Sequence, residues 1–301
     1  MNVRGLRNPQ KREQVFDYVK GKNCNVVMLQ ETHCADVTDI QAWSREWGNQ
    51  VGNGTSFWNC YRSNSRGTAI LINSGNDVTL EVVNCVNCHD GRTQILCLKE
   101  KTEVGKVIFV NSYAPNGMKD REKYFEQLNT KIREISGHHD ADKIICGGDY
   151  NCILNSKDCN KGQRRLKDGS LADVSVRAIL EVIHRFNLSD VWQTLNPEKH
   201  QYTWRQIDSK NEDRNVSKRL DRFLVSESLL ENVDRCNILP CHLSDHLPVV
   251  LRCKLLNKVP RGKGVWKFNN DLLKGSNFVH ETKEFWAGWK QRKPVLANLG
   301  E

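Results

Sequence analysis

Apolar positions along this chain come in short blocks whose period changes from helix-like to strand-like. Asn8-Pro9 reads as a helix start, a capping side chain followed by a ring with φ preset for the first turn. Val15, Phe16 and Val19 give that helix an apolar stripe, and Gly21 ends it. Asn25 to Gln30 then predicts a buried strand. Ile40, Trp43 and Trp47 predict a second helix, and Tyr124, Leu128, Ile132 and Ile135 a third. Val176, Ile179, Leu180 and Ile183 mark another. Between the helices, strands are predicted over Thr68 to Ile72, Val78 to Val83, Thr93 to Lys99 and Lys106 to Tyr113. Lys143 to Cys146 is a short strand ending in Gly147-Gly148, and Leu220 to Val225 and Leu247 to Leu251 are the last strands.

Several strands follow one another directly between helices. That favours a layered α/β domain with mixed sheets over an alternating parallel sheet. The pattern closes near Leu256, so residues 1–256 read as one domain. Residues 257–301 read as a basic linker and a helical tail, with Lys258, Arg261 and Lys263 followed by Trp266, Phe268, Phe285, Trp286 and Trp289.

Composition narrows the function classes. With 38% hydrophobic and 27% charged residues over 301 positions, the chain is globular, not collagen-like or disordered. No run of about 18 apolar residues exists, which excludes a membrane-spanning helix. Lys and Arg outnumber Asp and Glu by 45 to 36, a net charge of +9 that favours a polyanionic partner. The 12 cysteines are scattered, and no apolar signal segment follows Met1, so they are read as reduced thiols of an intracellular protein. Cys85-x-x-Cys88-His89 matches a haem-attachment spacing but sits between two predicted strands. Cys236, Cys241 and His242 lack a second pair at zinc-finger spacing.

Candidate chemistry gathers just past the ends of the apolar strands. Glu31 follows Val26 to Gln30, Tyr113 closes Val107 to Asn111, Asp149 and Asn151 follow Ile144 to Gly148, and Asp245-His246 precedes the last strand. Carboxylates at strand ends suit a hard cation such as Mg²⁺, which takes oxygen ligands and keeps several waters. A His beside an Asp suits proton transfer.

Six motifs occur in order: Asn2-Val3-Arg4-Gly5-Leu6, Leu29-Gln30-Glu31-Thr32-His33, Tyr113-Ala114-Pro115-Asn116, Gly148-Asp149-Tyr150-Asn151, Arg219-Leu220-Asp221-Arg222-Phe223 and Ser244-Asp245-His246-Leu247-Pro248. Together they resemble the endonuclease/exonuclease/phosphatase family over residues 1 to about 256, which implies a layered α/β sandwich of two mixed β-sheets flanked by helices. Within it, Tyr202-Thr203-Trp204 and the tail Val265 to Leu273 are similar to the endonuclease segment and connector of LINE-type (non-LTR) retrotransposons. The resemblance implies a Mg²⁺-dependent (or Mn²⁺-dependent) DNA endonuclease that leaves a 3′-hydroxyl nick. It implies double-stranded DNA as partner, a reverse transcriptase in the full element though none follows here, and a nuclear site of action. On that account the chain is a fragment or truncated copy.

By the same resemblance, Glu31 is the main metal ligand, with Asn2 nearby and Asp245 supporting the metal or water. Asp149 and Asn151 orient the attacking water or protonate the leaving oxygen. Tyr113 contacts the scissile phosphate or leaving oxygen, and His246 holds the phosphate with Asp221 as its carboxylate partner. Lys161, Arg164, Arg165 and Lys167 form one basic group, and Arg214, Lys218 and Arg219 another. Each is either a solvated loop or a set of phosphate contacts. The stretch from Thr203 to Lys218 is expected as a hairpin near the DNA groove.

Two departures from the family pattern matter. The strand that usually precedes the Asn2 motif is mostly missing, which predicts unpaired backbone and a loosened Asn2. Lys218 stands where repair-type members carry an aromatic residue, so abasic-site specificity is less expected than backbone nicking. The alternatives are an exonuclease III or abasic-site repair nuclease, a phosphatase of monoesters or lipids, and a catalytically dead DNA-binding remnant.

Overall fold

The structure, a computed structural model, describes residues 1–52, 54–73, 80–88, 90–100, 105–161, 173–207, 210–211, 214–255 and 274–291. The chain divides into two compact units, Met1–Leu256 and Asn257–Glu301. In the second, the described residues include helix Ser276–Gln291, with Phe285 and Trp286 exposed. The basic linker residues Lys258, Arg261 and Lys263, with Trp266 and Phe268, lie outside the described residues. Among the described residues, no helix is long and apolar enough to cross a membrane.

The first unit is built in layers. Its larger sheet has six strands: β4 (Leu80–Asn87), β5 (Thr93–Glu100), β6 (Lys106–Tyr113), β7 (Lys143–Asp149), β11 (Asp221–Ser226) and β8 (Leu188–Asp190), in that order. Only β6 and β7 pair in parallel; every other pairing in this sheet is antiparallel. A smaller sheet sets β3 (Thr68–Ile72) between β1 (Val26–Gln30) and β2 (Thr55–Asn59). β12 (Val233–Ile238) and β13 (Val249–Cys253) form a third, two-stranded sheet.

The alternation of side chains along each strand explains the layers. On β6, Val107 and Phe109 pack with Met28, Ile70 and Ile72 of the smaller sheet, while Ile108 and Val110 pack with Tyr124, Phe125, Leu128 and Ile132. Those last four lie on α3 (Met118–His139), which shares this face with α4 (Ser175–Arg185). On the outer face of the smaller sheet, Val27, Leu29, Ala69 and Leu71 pack against Phe16 of α1 (Pro9–Gly21) and Trp43 and Trp47 of α2 (Val37–Val51). The continuous apolar runs of β1, β3 and β6 follow from burial on both faces.

The expected helix start holds in detail, with Asn8 accepting from the Lys11 N–H at the head of α1. Two expectations are corrected. Asn2 is not loosened: it is 1% exposed, and residues 1–3 run beside the end of β1. There the Val3 N–H bonds the Gln30 carbonyl at 2.9 Å, the Gln30 N–H bonds the Met1 carbonyl at 3.0 Å, and the terminal ammonium bonds the Met28 carbonyl at 2.7 Å. Nor are all cysteines reduced, because Cys34 and Cys60 form a disulfide while the other ten are free. Cys34 follows β1 and Cys60 ends at β2, and both strands flank β3, so the fold brings together residues 26 apart in sequence.

Candidate active site

Register places the chemistry. The parallel pairing of β6 with β7 sets Tyr113 opposite Asp149, and the antiparallel pairing of β7 with β11 sets Asp221 opposite Asp149. Three strand ends thus present a tyrosine and two carboxylates in one row. Close approach of β6 and β7 requires Gly148, where an added Cβ would meet the Ser112 carbonyl oxygen at 1.9 Å. Glu31 arrives at the same end from β1, and the Leu247 N–H ties His246 to the row by bonding the Thr203 carbonyl at 2.7 Å.

Asn2 joins the two halves of the site. Its Nδ2 donates to Glu31 Oε1 at 3.0 Å and to Asp149 Oδ2 at 3.1 Å. The Tyr113 hydroxyl donates to the same Glu31 oxygen at 2.6 Å. Burial and the adjacent Glu31 carboxylate raise the Tyr113 phenol well above its ordinary value, so it remains a proton donor at neutral pH. Asn151 steadies Asp149 through its backbone N–H on Oδ1 at 3.0 Å, while its own amide donates to the Ala114 carbonyl at 2.8 Å.

On the other side, His246 Nδ1 lies 2.8 Å from Asp221 Oδ2, and its Nε2 lies 3.9 Å from Asp149 Oδ2. Burial alone would lower the imidazole, but the Asp221 carboxylate overrides it, and His246 is raised to about 9. Asp149 is pushed up to about 6, first by burial and then by the charge of Asp221, with His246 opposing. Asp149, Asp221 and His246 form the one cluster of metal-capable side chains found among the described residues, and all three are buried. Asp221 Oδ1 is a buried acceptor with no hydrogen-bond partner among the described residues.

Oxygen donors dominate this end of the fold, and Glu31 is only half-buried, which leaves one side open to water. Such a set fits a Mg²⁺ or Mn²⁺ ion that takes one or two carboxylates and keeps its waters. Asp245 sits apart from the buried cluster, its Oδ2 held by Arg4 Nη1 at 3.0 Å.

Backbone strain concentrates here. Arg4, Glu31, His33, Arg66 and Asn151 all adopt positive φ, between 48° and 60°. Each such non-glycine residue costs on the order of 1 kcal/mol, a cost that tends to persist at functional sites.

The expected DNA contacts fare unevenly. Lys161 is exposed and follows Asn160, whose N–H bonds the Ser217 carbonyl at 3.1 Å. Lys218 is half-buried, with its ammonium 5.7 Å from the centre of the Trp204 ring. The stretch from Thr203 does form a hairpin, of β9 (Trp204–Gln206) and β10 (Val216–Lys218). Arg164 and Arg165, with Lys167, lie outside the described residues.

Two expected contacts are corrected. Thr203 is fully buried, and its Oγ1 accepts from the Leu220 and Asp221 N–H groups at 2.9 and 3.0 Å. It anchors Asp221 and His246 instead of facing a ligand. Arg219 is 1% exposed, with Nε on Asp158 at 2.7 Å and Nη1 on Asp190 at 2.8 Å. Arg222 joins the same carboxylates, so both arginines are internal struts.

Sequence reasoning passed over Asn111 and Arg92. Asn111 Nδ2 donates to the Leu29 and Ala69 carbonyls at 3.0 and 2.9 Å, and Gln30 Nε2 donates to its Oδ1 at 2.6 Å, which links the two sheets below the site. The signal was a polar residue interrupting an apolar strand. The Arg92 guanidinium lies 4.8 Å over the Tyr113 ring and donates to the Tyr113 carbonyl at 3.2 Å.

Comparison with known proteins agrees with this layout. A family model described as Endonuclease/Exonuclease/phosphatase family matches residues 1–246. The Transposon TX1 uncharacterized 149 kDa protein of Xenopus laevis is 29% identical over 303 residues, an alignment covering all of this chain and 21% of that protein. The chain therefore spans about a fifth of that relative's length. An exodeoxyribonuclease of Bacillus subtilis is 25% identical over 260 residues, covering 83% of this chain and 96% of the relative. Among solved structures, an AP endonuclease from Archaeoglobus fulgidus superposes with a TM-score of 0.61 at 18% identity, over 84% of this chain and 96% of that one. At that identity the likeness is one of fold.

Proposed function

Since this chain belongs to the endonuclease/exonuclease/phosphatase family, we propose that it is a phosphodiesterase, a Mg²⁺-dependent DNA endonuclease that leaves a 3′-hydroxyl nick. The observation that carries this reading is the chain of contacts Asp221–His246–Asp149–Asn2–Glu31–Tyr113 across one set of strand ends. It sets a cationic imidazole, a carboxylate that titrates near 6 and an oxygen-ligand site side by side.

In this reading Asp221 accepts the Nδ1 proton of His246 and holds the ring so that Nε2–H faces the scissile phosphate. Raised to about 9, His246 is charged at neutral pH and neutralises a phosphate oxygen. Asp149, at about 6, is largely ionised at pH 7 and takes the proton of the attacking water as the P–O3′ bond breaks, and the leaving 3′-oxygen draws its proton from solvent to become the hydroxyl. Tyr113 and Asn2 hold the Glu31 carboxylate, and Glu31 would hold Mg²⁺. When bound, that ion supplies positive charge to the phosphoryl oxygens. Asn151 fixes Asp149 and acts through it.

Likeness to the transposon protein supports a role in nicking chromosomal DNA in the nucleus, where the freed 3′-hydroxyl would prime a reverse transcriptase of the same element. Lys218, with its flexible ammonium over Trp204, is a poor wall for a flipped-out sugar and disfavours abasic-site repair. The test is nicking of supercoiled plasmid. Cleavage is expected with Mg²⁺, none with EDTA or in His246→Ala, and the nick should be extendable by a DNA polymerase. A folded, DNA-binding protein that fails to cut would make it an inert remnant. Preference for an abasic over an intact duplex would make it a repair nuclease.

A further inference from the structure

Arg4 is an exposed cation held firmly beside the site. Its backbone sits at φ 48°, and its N–H donates to Asn2 Oδ1 at 3.0 Å. Its carbonyl accepts from Lys11 Nζ at 3.1 Å, and the next N–H, from Gly5, bonds the Glu31 carbonyl at 2.7 Å. The peptide groups on both sides of Arg4 are therefore fixed to the Glu31 loop and to the residue that bridges Glu31 and Asp149. From that fixed base the guanidinium spans to Asp245 Oδ2 at 3.0 Å, 241 positions away in sequence. The side chain is 67% exposed and that of Asp245 33% exposed, so the pair lies at the rim, with other guanidinium N–H groups turned toward solvent.

This pairing occupies the carboxylate that the sequence offered as a metal ligand. A divalent ion on Asp245 would face a fixed guanidinium, with the Lys11 ammonium close behind, and like charges disfavour that. Lys11 feels the charge of both carboxylates, but Glu31 has no guanidinium bonded to it: its side-chain hydrogen bonds come from the neutral Tyr113 hydroxyl and Asn2 amide. A guanidinium offers five donors in a planar fork suited to phosphate oxygens.

Resting on the metal-dependent nuclease reading, we propose that Arg4 is a resident second cation of the site. It keeps Asp245 out of metal coordination, so that a single divalent ion binds at Glu31, and it presents its outer N–H groups to the DNA phosphate beside the scissile one.

The experiment counts Mn²⁺ by electron paramagnetic resonance without DNA, and follows duplex binding in EDTA by fluorescence anisotropy across a salt series. One Mn²⁺ per chain is expected, lost in Glu31→Gln and changed less than twofold in Asp245→Asn. Arg4→Ala should admit a second Mn²⁺, which adding Asp245→Asn removes. In EDTA, Arg4→Ala should weaken duplex binding and make the salt slope shallower by about 1, while Arg4→Lys keeps the slope. Two ions in the unmodified protein, a tenfold weaker Mn²⁺ affinity in Asp245→Asn, or an unchanged slope in Arg4→Ala would each overturn the role of Arg4. Retention of Mn²⁺ by Glu31→Gln would instead overturn the underlying metal site.

Discussion

His246 and Asp149 report the state of the site through their protons. Both are raised in the folded chain, to about 9 and about 6, so the folded form binds more protons than the unfolded one. The contribution of the His246–Asp221 pair is complete below about pH 6.5 and is lost as pH rises through about 9. Asp149 acts in the same direction, favouring the fold at low pH and ceasing to do so as pH rises through about 6. Urea midpoints in EDTA should therefore fall between pH 6 and pH 9.5, and His246→Gln should flatten the upper part of that fall. Nicking should rise on an acid limb near 6 and decline on an alkaline limb near 9, and a flat profile would separate these groups from the chemistry. Gly148→Ala should cost about 3 kcal/mol or more in urea denaturation, since the new methyl meets a neighbouring backbone oxygen. Glu31, Tyr113, Asp149 and His246 were legible because each follows or precedes an apolar run, and strand ends share one edge of a sheet. The fate of Thr203 and Arg219 was not legible. Arg219 sits in a basic-looking Lys-Arg-Leu-Asp-Arg segment, and only the tertiary contacts with Asp158 and Asp190 turn it inward.

At the scale of elements, the internal arginine pair explains how the loop after β7 is held. Asp158 closes a short 3-10 turn at Ser156–Asp158 and receives Arg219 and Arg222 from the start of β11, while Asp190 ends β8. Removing Asp158 leaves two buried guanidinium groups to share the single carboxylate of Asp190. Asp158→Ala should lose about 3–5 kcal/mol by denaturant unfolding, far more than an exposed ion pair would. A loss below 1 kcal/mol would mean the cluster opens to water. The β9–β10 hairpin projects from the segment that anchors His246, and Ile207 beyond β9 is 75% exposed. An exposed apolar side chain there suits insertion against bases in a groove. Ile207→Ser should change the distribution of nick positions on a sequenced plasmid while leaving Mg²⁺-dependent nicking within about threefold. Long periodic elements such as α3 and β6 could be read from sequence. β2, β8 and β12 could not, because they are short or carry charged and polar positions, and their pairing partners lie far along the chain.

Across the whole of the first unit, the mixed layers were legible because several strand patterns follow one another between the helical ones. The disulfide and the firm seat of Asn2 did not follow, since both depend on neighbours that only the folded sheet supplies. A bound ion should stabilise the entire unit by linkage. At 100 times its dissociation constant, Mg²⁺ adds about 2.7 kcal/mol, visible as a higher melting temperature than in EDTA and absent in Glu31→Gln. The row of strand ends has a further consequence in time. Its parts come from residues 2, 31, 113, 149, 221 and 246, so the first and last segments of the unit meet in one place. A growing polypeptide on the ribosome holds Asn2 and Glu31 long before Asp221 and His246 are made, and β-rich units of this kind assemble late through distant contacts. On the proposed mechanism, unfinished chains would lack half of the row and leave nucleic acid intact, and cutting would begin only once the segment around His246 has emerged and seated.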